Sequence, residues 1–141
     1  MVANDTNTAR FMDGIAGFAI NGIPIFTASS AEKTDPYYPK NWVGSSTGKA
    51  EIVDACVGHP QDTGLYHYHM LPPCLVNAAN MEDWNVCQKV SKCTSDVKGY
   101  ALDAYTASAK NLTFLGLAKD GRPVIGPYDD SGNLIDCGKL D

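Results

Sequence analysis

Gly17-Phe18-Ala19-Ile20-Asn21-Gly22-Ile23-Pro24-Ile25-Phe26 is the stretch that decides the class of the fold. Two short apolar runs flank Asn-Gly, the dipeptide preferred in a type I′ hairpin turn because both central residues there need positive φ. The phrase returns near the other end of the chain as Gly116-Leu117-Ala118-Lys119-Asp120-Gly121-Arg122-Pro123-Val124-Ile125. Gly, Ala, Gly and Pro keep their register, Asp replaces Asn, and an apolar pair again follows the proline. We expect two equivalent hairpins paired in one core, with both prolines on an edge or a bulge, where no ladder donor is needed.

Between the hairpins, all three histidines fall in Cys56-Val57-Gly58-His59-Pro60-Gln61-Asp62-Thr63-Gly64-Leu65-Tyr66-His67-Tyr68-His69-Met70-Leu71-Pro72-Pro73-Cys74. Alternate side chains of a strand share a face. His67 and His69 therefore project together with Leu65 and Leu71, while Tyr66, Tyr68 and Met70 take the other side. A turn at Pro60 to Gly64 folds His59 back beside the pair. Three converging imidazoles suit Zn, Cu, Fe and Ni, and three histidines with one position left over match catalytic zinc sites. Asp54 and Asp62 are near enough in sequence to supply a fourth ligand or to accept a ring N–H. The plainer alternatives are histidines that bond to backbone carbonyls and organise a loop, aspartates that are solvated surface charges, and Tyr66 and Tyr68 that are core aromatics.

At 141 residues the chain is one domain's worth, and we read a single domain over 1–141. A formal charge of −5, with 11 basic residues scattered among 16 acidic ones, argues against nucleic-acid partners. No apolar stretch approaches the roughly 20 residues of a membrane span, and Met1 to Arg10 is too polar for a signal peptide.

The five cysteines, at 56, 74, 87, 93 and 137, include no Cys-x-x-Cys pair, so disulfides are the better reading than a zinc ribbon. Cys56 with Cys74 would clamp the ends of the histidine segment and contribute about 3 kcal/mol on the chain-entropy argument. Cys87 with Cys93 is the natural second pair. Cys137 then needs a partner elsewhere: a longer native chain, another subunit or extracellular protein, or a different pairing. Two glycosylation sequons, Asn4-Asp5-Thr6 and Asn111-Leu112-Thr113, fit a secreted glycoprotein. An extracellular or cell-surface chain is expected, its signal removed or replaced.

Elsewhere Ala50 to Ala55, Gly99 to Tyr105 and Leu112 to Leu117 read as strands, and Asn80 to Lys92 reads as the best helix. Asp129-Asp130-Ser131-Gly132-Asn133 reads as an ordinary acidic turn, for it lacks the ordered oxygen ligands and distal Glu of an EF-hand loop. The fold class expected is mainly β, disulfide-stabilised, with one short helix. The alternative is α+β with a larger helical insertion at 75–110.

The run Gly-His-Pro-Gln…Gly-Leu-Tyr-His-Tyr-His…Pro-Pro-Cys, from Gly58 to Cys74, resembles the signature of YHYH-domain proteins. Gly17 to Phe26 is similar to that family's early Ala-x-Asn-Gly-x-Pro-Ile-Phe hairpin, and Ala118 to Tyr128 to its later Ala-x-Asp-Gly-x-Pro-Ile-x-Gly-Pro-Tyr segment. The likeness covers roughly residues 15 to 137 in the right order. It departs at 75–111, which reads as an insertion, and in the Tyr/His-containing continuation that members often carry beyond the position of Cys137. The resemblance implies a secreted or cell-surface β-rich module, in a family of mostly unassigned activity.

Three functions follow from these readings. The first is an extracellular zinc- or copper-binding module using the His-x7-His-x-His cluster of His59, His67 and His69. The second is a structural subunit of an extracellular fibre, matrix or coat, self-assembling or crosslinked through Cys137. The third is a metal-dependent hydrolase or oxidase, placed below binding because none of Glu32, Glu51, Glu82 or the aspartates is marked by a motif as a general base. Serine catalysis lacks a Gly-x-Ser-x-Gly elbow, and oxidised thiols leave no cysteine nucleophile.

Overall fold

The computed structural model describes residues 14–32, 34–38, 49–77, 93 and 95–136. Its strands are β1 (Ile15–Ala19), β2 (Pro24–Phe26), β3 (Gly58–Pro60), β4 (Tyr66–Tyr68), β5 (Phe114–Ala118) and β6 (Pro123–Ile125). They form one six-stranded sheet in the order β3-β4-β2-β1-β5-β6. All neighbours are antiparallel except β2 and β4, which run parallel through the single pair Ile25↔Tyr68. A helix, α1 (Val97–Asp103), and 3-10 turns at Pro73–Leu75 and Ala107–Ala109 complete the described elements. The protein is mainly β with a short helix, and Cys56 is bonded to Cys74.

The repeated phrase builds the centre of the sheet. Its two hairpins, β1–β2 and β5–β6, meet through β1 and β5 in the register Gly17↔Ala118, Phe18↔Leu117, Ala19↔Gly116. Each Gly-x-Ala triplet thus faces the other head to tail, so the centre has local two-fold symmetry about the Phe18–Leu117 pair. The glycines are demanded by proximity. A β-carbon on Gly17 would run into the Leu117 carbonyl oxygen, and one on Gly116 into the Phe18 carbonyl oxygen. Both hairpins also slip register at the equivalent place, between Ile15 and Gly17 and between Phe114 and Gly116. Such a bulge bends a strand and increases its twist.

The loops differ from the type I′ turn expected for Asn-Gly. In the first hairpin the Gly22 N–H donates to the Ala19 carbonyl at 2.8 Å and the Ala19 N–H to the Ile23 carbonyl at 2.9 Å. The loop is therefore three residues long, and only Gly22, at φ 81°, takes positive φ while Asn21 does not. This is the arrangement in which a glycine forms a bulge after an ordinary turn. The pattern recurs at Ala118–Arg122 with Gly121, at Gln61–Leu65 with Gly64 and at Asp129–Asn133 with Gly132. The expected acidic turn is thus a fourth copy of one loop, closing the Tyr128↔Leu134 bridge. Pro24 also departs from expectation: it lies in an interior strand, as the first residue of β2, where its missing N–H costs no ladder bond. Pro123 opens β6, at the end of the sheet.

Two expected strands are not strands. Residues 50–55 follow an irregular path that buries Val53 and Ala55. The run 99–105 falls in and just beyond α1: Asp96 caps the helix, its carboxylate accepting the Gly99 N–H at 3.0 Å. The buried residues Val97, Ala101, Ala104 and Tyr105 then recur at helical spacing. The expected strand at 112–117 is β5, displaced to Phe114–Ala118. Helix 80–92, Cys87, Asn4 and Cys137 lie outside the described residues; Cys93 is disulfide-bonded and buried. Val53, Val57, Cys93 and Val97 pack together with Tyr37, Tyr38, Met70 and Tyr100 against them.

The close approach at the sheet centre makes a graded prediction. Gly116→Ala or Gly17→Ala, forced against backbone, should cost about 2–3 kcal/mol in urea unfolding. Gly121→Ala, at positive φ in open space, should cost about 1 kcal/mol. Equal costs would mean that the strands can separate to admit a methyl group.

Candidate metal centre

His59 lies in β3 and His67 in β4, directly opposite each other in the antiparallel register. The turn expected between Pro60 and Gly64 is the Gln61–Leu65 loop, and it returns the chain so that the two rings are 4.4 Å apart between centroids. His69 stands one residue beyond β4, with its ring 4.8 Å from that of His67 and 5.3 Å from that of His59. One ring nitrogen from each histidine lies within 4.8 Å of the other two. All three sequence-predicted ligands therefore converge.

The parallel pairing of β2 with β4 brings a second layer against them. Phe26 stacks on His67 at 3.9 Å and 24°, and His67 is only 1% exposed. The next residue, Thr27, offers its carbonyl oxygen to His69 Nδ1 at 2.8 Å. His67 Nδ1 meets the Leu65 carbonyl at 3.1 Å. A carbonyl oxygen can only accept, so both Nδ1 atoms carry the proton and donate. The Nε2 atoms of two such neutral rings carry lone pairs, and here they face each other at 3.1 Å.

Two lone pairs at that distance repel unless a cation lies between them, either a second proton on one ring or a metal ion. A tetrahedral ion bound at about 2.0–2.1 Å holds its nitrogen ligands about 3.3 Å apart, close to the separation of this pair. His59 is set less tightly. Its Nδ1 is 3.7 Å from the Glu51 carboxylate, a contact longer than a hydrogen bond. Its Nε2 is buried with no hydrogen-bond partner among the described residues. The third ring would need to close by up to about 1.5 Å to complete a tetrahedral set, and its long contact to Glu51 leaves that freedom. Each ring thus has an oxygen at Nδ1, as in the carbonyl–histidine and carboxylate–histidine pairs that orient metal ligands.

Electrostatics keep the nitrogens available. Burial, followed by the neighbouring His67 and His69 rings, pushes His59 down to about 4. Burial also lowers His67, against the opposing effect of its bond to the Leu65 carbonyl. Glu51 moves up because it is desolvated, with His69 working in the other direction.

The carboxylates are used differently from the sequence expectation. Asp54, a candidate ligand, is committed to the backbone: Oδ1 accepts the N–H groups of Cys56 at 2.9 Å and Gly58 at 3.1 Å, and Oδ2 accepts the Tyr66 hydroxyl at 2.6 Å. Asp62 is exposed on the loop and lines a cavity of about 330 Å³ beside the three rings. Glu51, which no motif marked, lines the same cavity and contacts His59. Tyr68 is a buried aromatic as expected, its hydroxyl accepting from Asn21 Nδ2 at 3.1 Å.

The turn that aims His59 is tightly built. Val57 is fully buried at φ 61°, a conformation that β-branched residues rarely adopt and that costs about 1–3 kcal/mol. The Asp54 carbonyl accepts the Val57 N–H at 3.0 Å, and the Val57 carbonyl accepts from the Tyr37 hydroxyl at 3.4 Å. The Ala55 carbonyl accepts from the Tyr100 hydroxyl at 2.9 Å, and Cys56 is tied to Cys74. A β-carbon on Gly58 would strike the Tyr66 hydroxyl, which Asp54 holds in place.

The sequence model of the family described as YHYH protein matches residues 2–136. No curated protein matches the chain, and no solved structure does.

The lowered His59 fixes a pH dependence. An unfolded histidine titrates at about 6.5, so between that pH and about 4 the unfolded chain takes up a proton that folded His59 refuses. Stability is complete above that window and falls as pH falls through it. Metal-free protein should lose urea midpoint between neutrality and the lower end of the window, and His59→Gln should flatten that slope; an unchanged slope would remove His59 as its source.

Proposed function

We propose that this chain, which belongs to the YHYH protein family, is an extracellular module that binds a divalent transition metal, zinc or copper, through His59, His67 and His69. The observation that carries the reading is the facing of two lone-pair nitrogens, His67 Nε2 and His69 Nε2, at 3.1 Å while both Nδ1 atoms donate to carbonyls. Without an ion the pair would need a second proton on one ring, and burial of His67 opposes its charged form. The buried, unpartnered His59 Nε2 beside them supports the same reading. Imidazole nitrogen suits zinc and copper. Such an ion would be held at Nε2 of each ring and would act as a Lewis acid at the cavity wall. The Thr27 and Leu65 carbonyls orient His69 and His67, Glu51 stands beside His59 without fixing it, and Phe26 excludes water from one side of His67.

An oxidising setting fits the Cys56–Cys74 bond. Asn111 of the second sequon is exposed, with its Nδ2 donating to the Ser108 carbonyl at 2.9 Å.

A second reading, self-association with another copy of this chain, is favoured by the outward side of the sheet. Phe18 and Leu117, paired in register, are 48% and 52% exposed, and Phe114 beside Ile125 is 48% exposed. Contiguous exposed apolar side chains mark interaction surfaces.

Elemental analysis of protein purified without chelator tests the first reading. The parent should carry close to one equivalent of zinc or copper, and His69→Ala should carry none while keeping its disulfide and circular dichroism. Glu51→Gln should bind about tenfold more weakly. No metal in the parent after reconstitution would make the histidines structural. For the second reading, sedimentation of metal-free protein should show mass rising with concentration, and Phe18→Glu should abolish the rise.

A further inference from the structure

We infer that the metal centre accepts a small uncharged ligand, a nitrogen or oxygen donor with polar groups of its own, and discriminates against anions. The inference rests on the three-histidine reading and adds the ligand class. An ion held by the three rings would border the cavity they line, because that cavity is bounded by His59, His67 and His69 together. At about 330 Å³ it has room for a small molecule.

The wall of the cavity sets the charge. Among the described residues lining it, the ionisable groups besides the histidines are Glu51 and Asp62, and none is Lys or Arg. Two carboxylates beside a divalent ion bring the local charge to about zero, so an incoming anion would leave an uncompensated negative charge. Coulomb repulsion from the half-buried Glu51 and the exposed Asp62 opposes an incoming anion, the second of these weakened by solvent screening. An uncharged ligand leaves the balance intact.

The remaining wall is suited to hydrogen bonding and to a flat apolar edge. Gln61 and Thr63 line it, as does Ser29, whose buried hydroxyl has no partner among the described residues. Phe26 supplies an aromatic surface. Phosphate, carboxylate and similar anions are therefore disfavoured as resident ligands relative to amines, azoles, alcohols and water.

The test uses copper(II)-loaded protein, with the visible absorption band and paramagnetic resonance spectrum as readouts, titrated with imidazole as the neutral probe and azide as the anionic one. Retention of copper is checked by elemental analysis after each titration. Free copper itself favours one probe over the other, so the decisive quantity is the change on Asp62→Asn, an exposed loop substitution that leaves the rings untouched. Azide affinity should rise three- to tenfold in the variant, with imidazole affinity within twofold of the parent. Equal changes for both probes, or a band that neither probe shifts while copper stays bound, would overturn the ligand class and leave the metal site standing. A parent that binds no copper would overturn both.

Discussion

Among the described residues, one backbone pairing joins the two parts of the sheet: Ile25 of β2 beside Tyr68 of β4. On one side of it lie the repeated glycine hairpins, and on the other the hairpin with the histidines. The junction is short, but it carries more than its own hydrogen bonds. It sets Phe26 flat against His67 and brings the Thr27 carbonyl to His69. Asn21, in the loop of the first hairpin, reaches the Tyr68 hydroxyl and fixes the same register from the opposite face. A slip of one residue would turn Phe26 away from the imidazoles and leave His69 Nδ1 without its acceptor, because alternate residues of a strand face opposite sides.

The histidine hairpin is rigid where it must aim and yielding where it must close. His67 is sealed between Phe26 and the Leu65 carbonyl, and His69 is set by the Thr27 carbonyl. His59 follows a turn in which Asp54, Tyr37, Tyr66, Tyr100 and the disulfide together hold Val57 at a positive φ. Strain kept this close to a cluster of chemically capable side chains is common at functional sites. The histidine that follows the strained turn nevertheless has the loosest contact at Nδ1.

Much of this was legible in the sequence, for reasons that differ from residue to residue. The glycines of the repeated phrase announced hairpins because positive φ and close backbone approach both exclude larger residues. The convergence of His59 with His67 and His69 followed from two-residue periodicity and one turn. Loop geometry was less legible, since Asn-Gly serves a two-residue turn and a three-residue loop equally well, and the strand twist chooses between them. Residues 99–105 alternate too briefly to separate strand from helix, and the deciding group, the Asp96 carboxylate, lies before the run. Glu51 could not be picked out because its contact with His59 spans the strained turn. Asp54 is neither the ligand that its proximity in sequence allowed nor the solvated surface charge offered beside it, because the nearest unsatisfied groups were the N–H donors of its own turn.

The local two-fold symmetry of the sheet centre has a consequence for its two outer margins. Rotation about the Phe18–Leu117 pair carries β2 onto β6 and Ile25 onto Val124. On the β2 side that margin receives β4 and, with it, the whole histidine hairpin; on the β6 side the described sheet ends. A single backbone design is therefore presented twice, once satisfied from within the chain and once as a terminus. The end strand carries the same geometry that elsewhere in the molecule recruits a parallel strand, so the architecture is symmetric in construction and asymmetric in use.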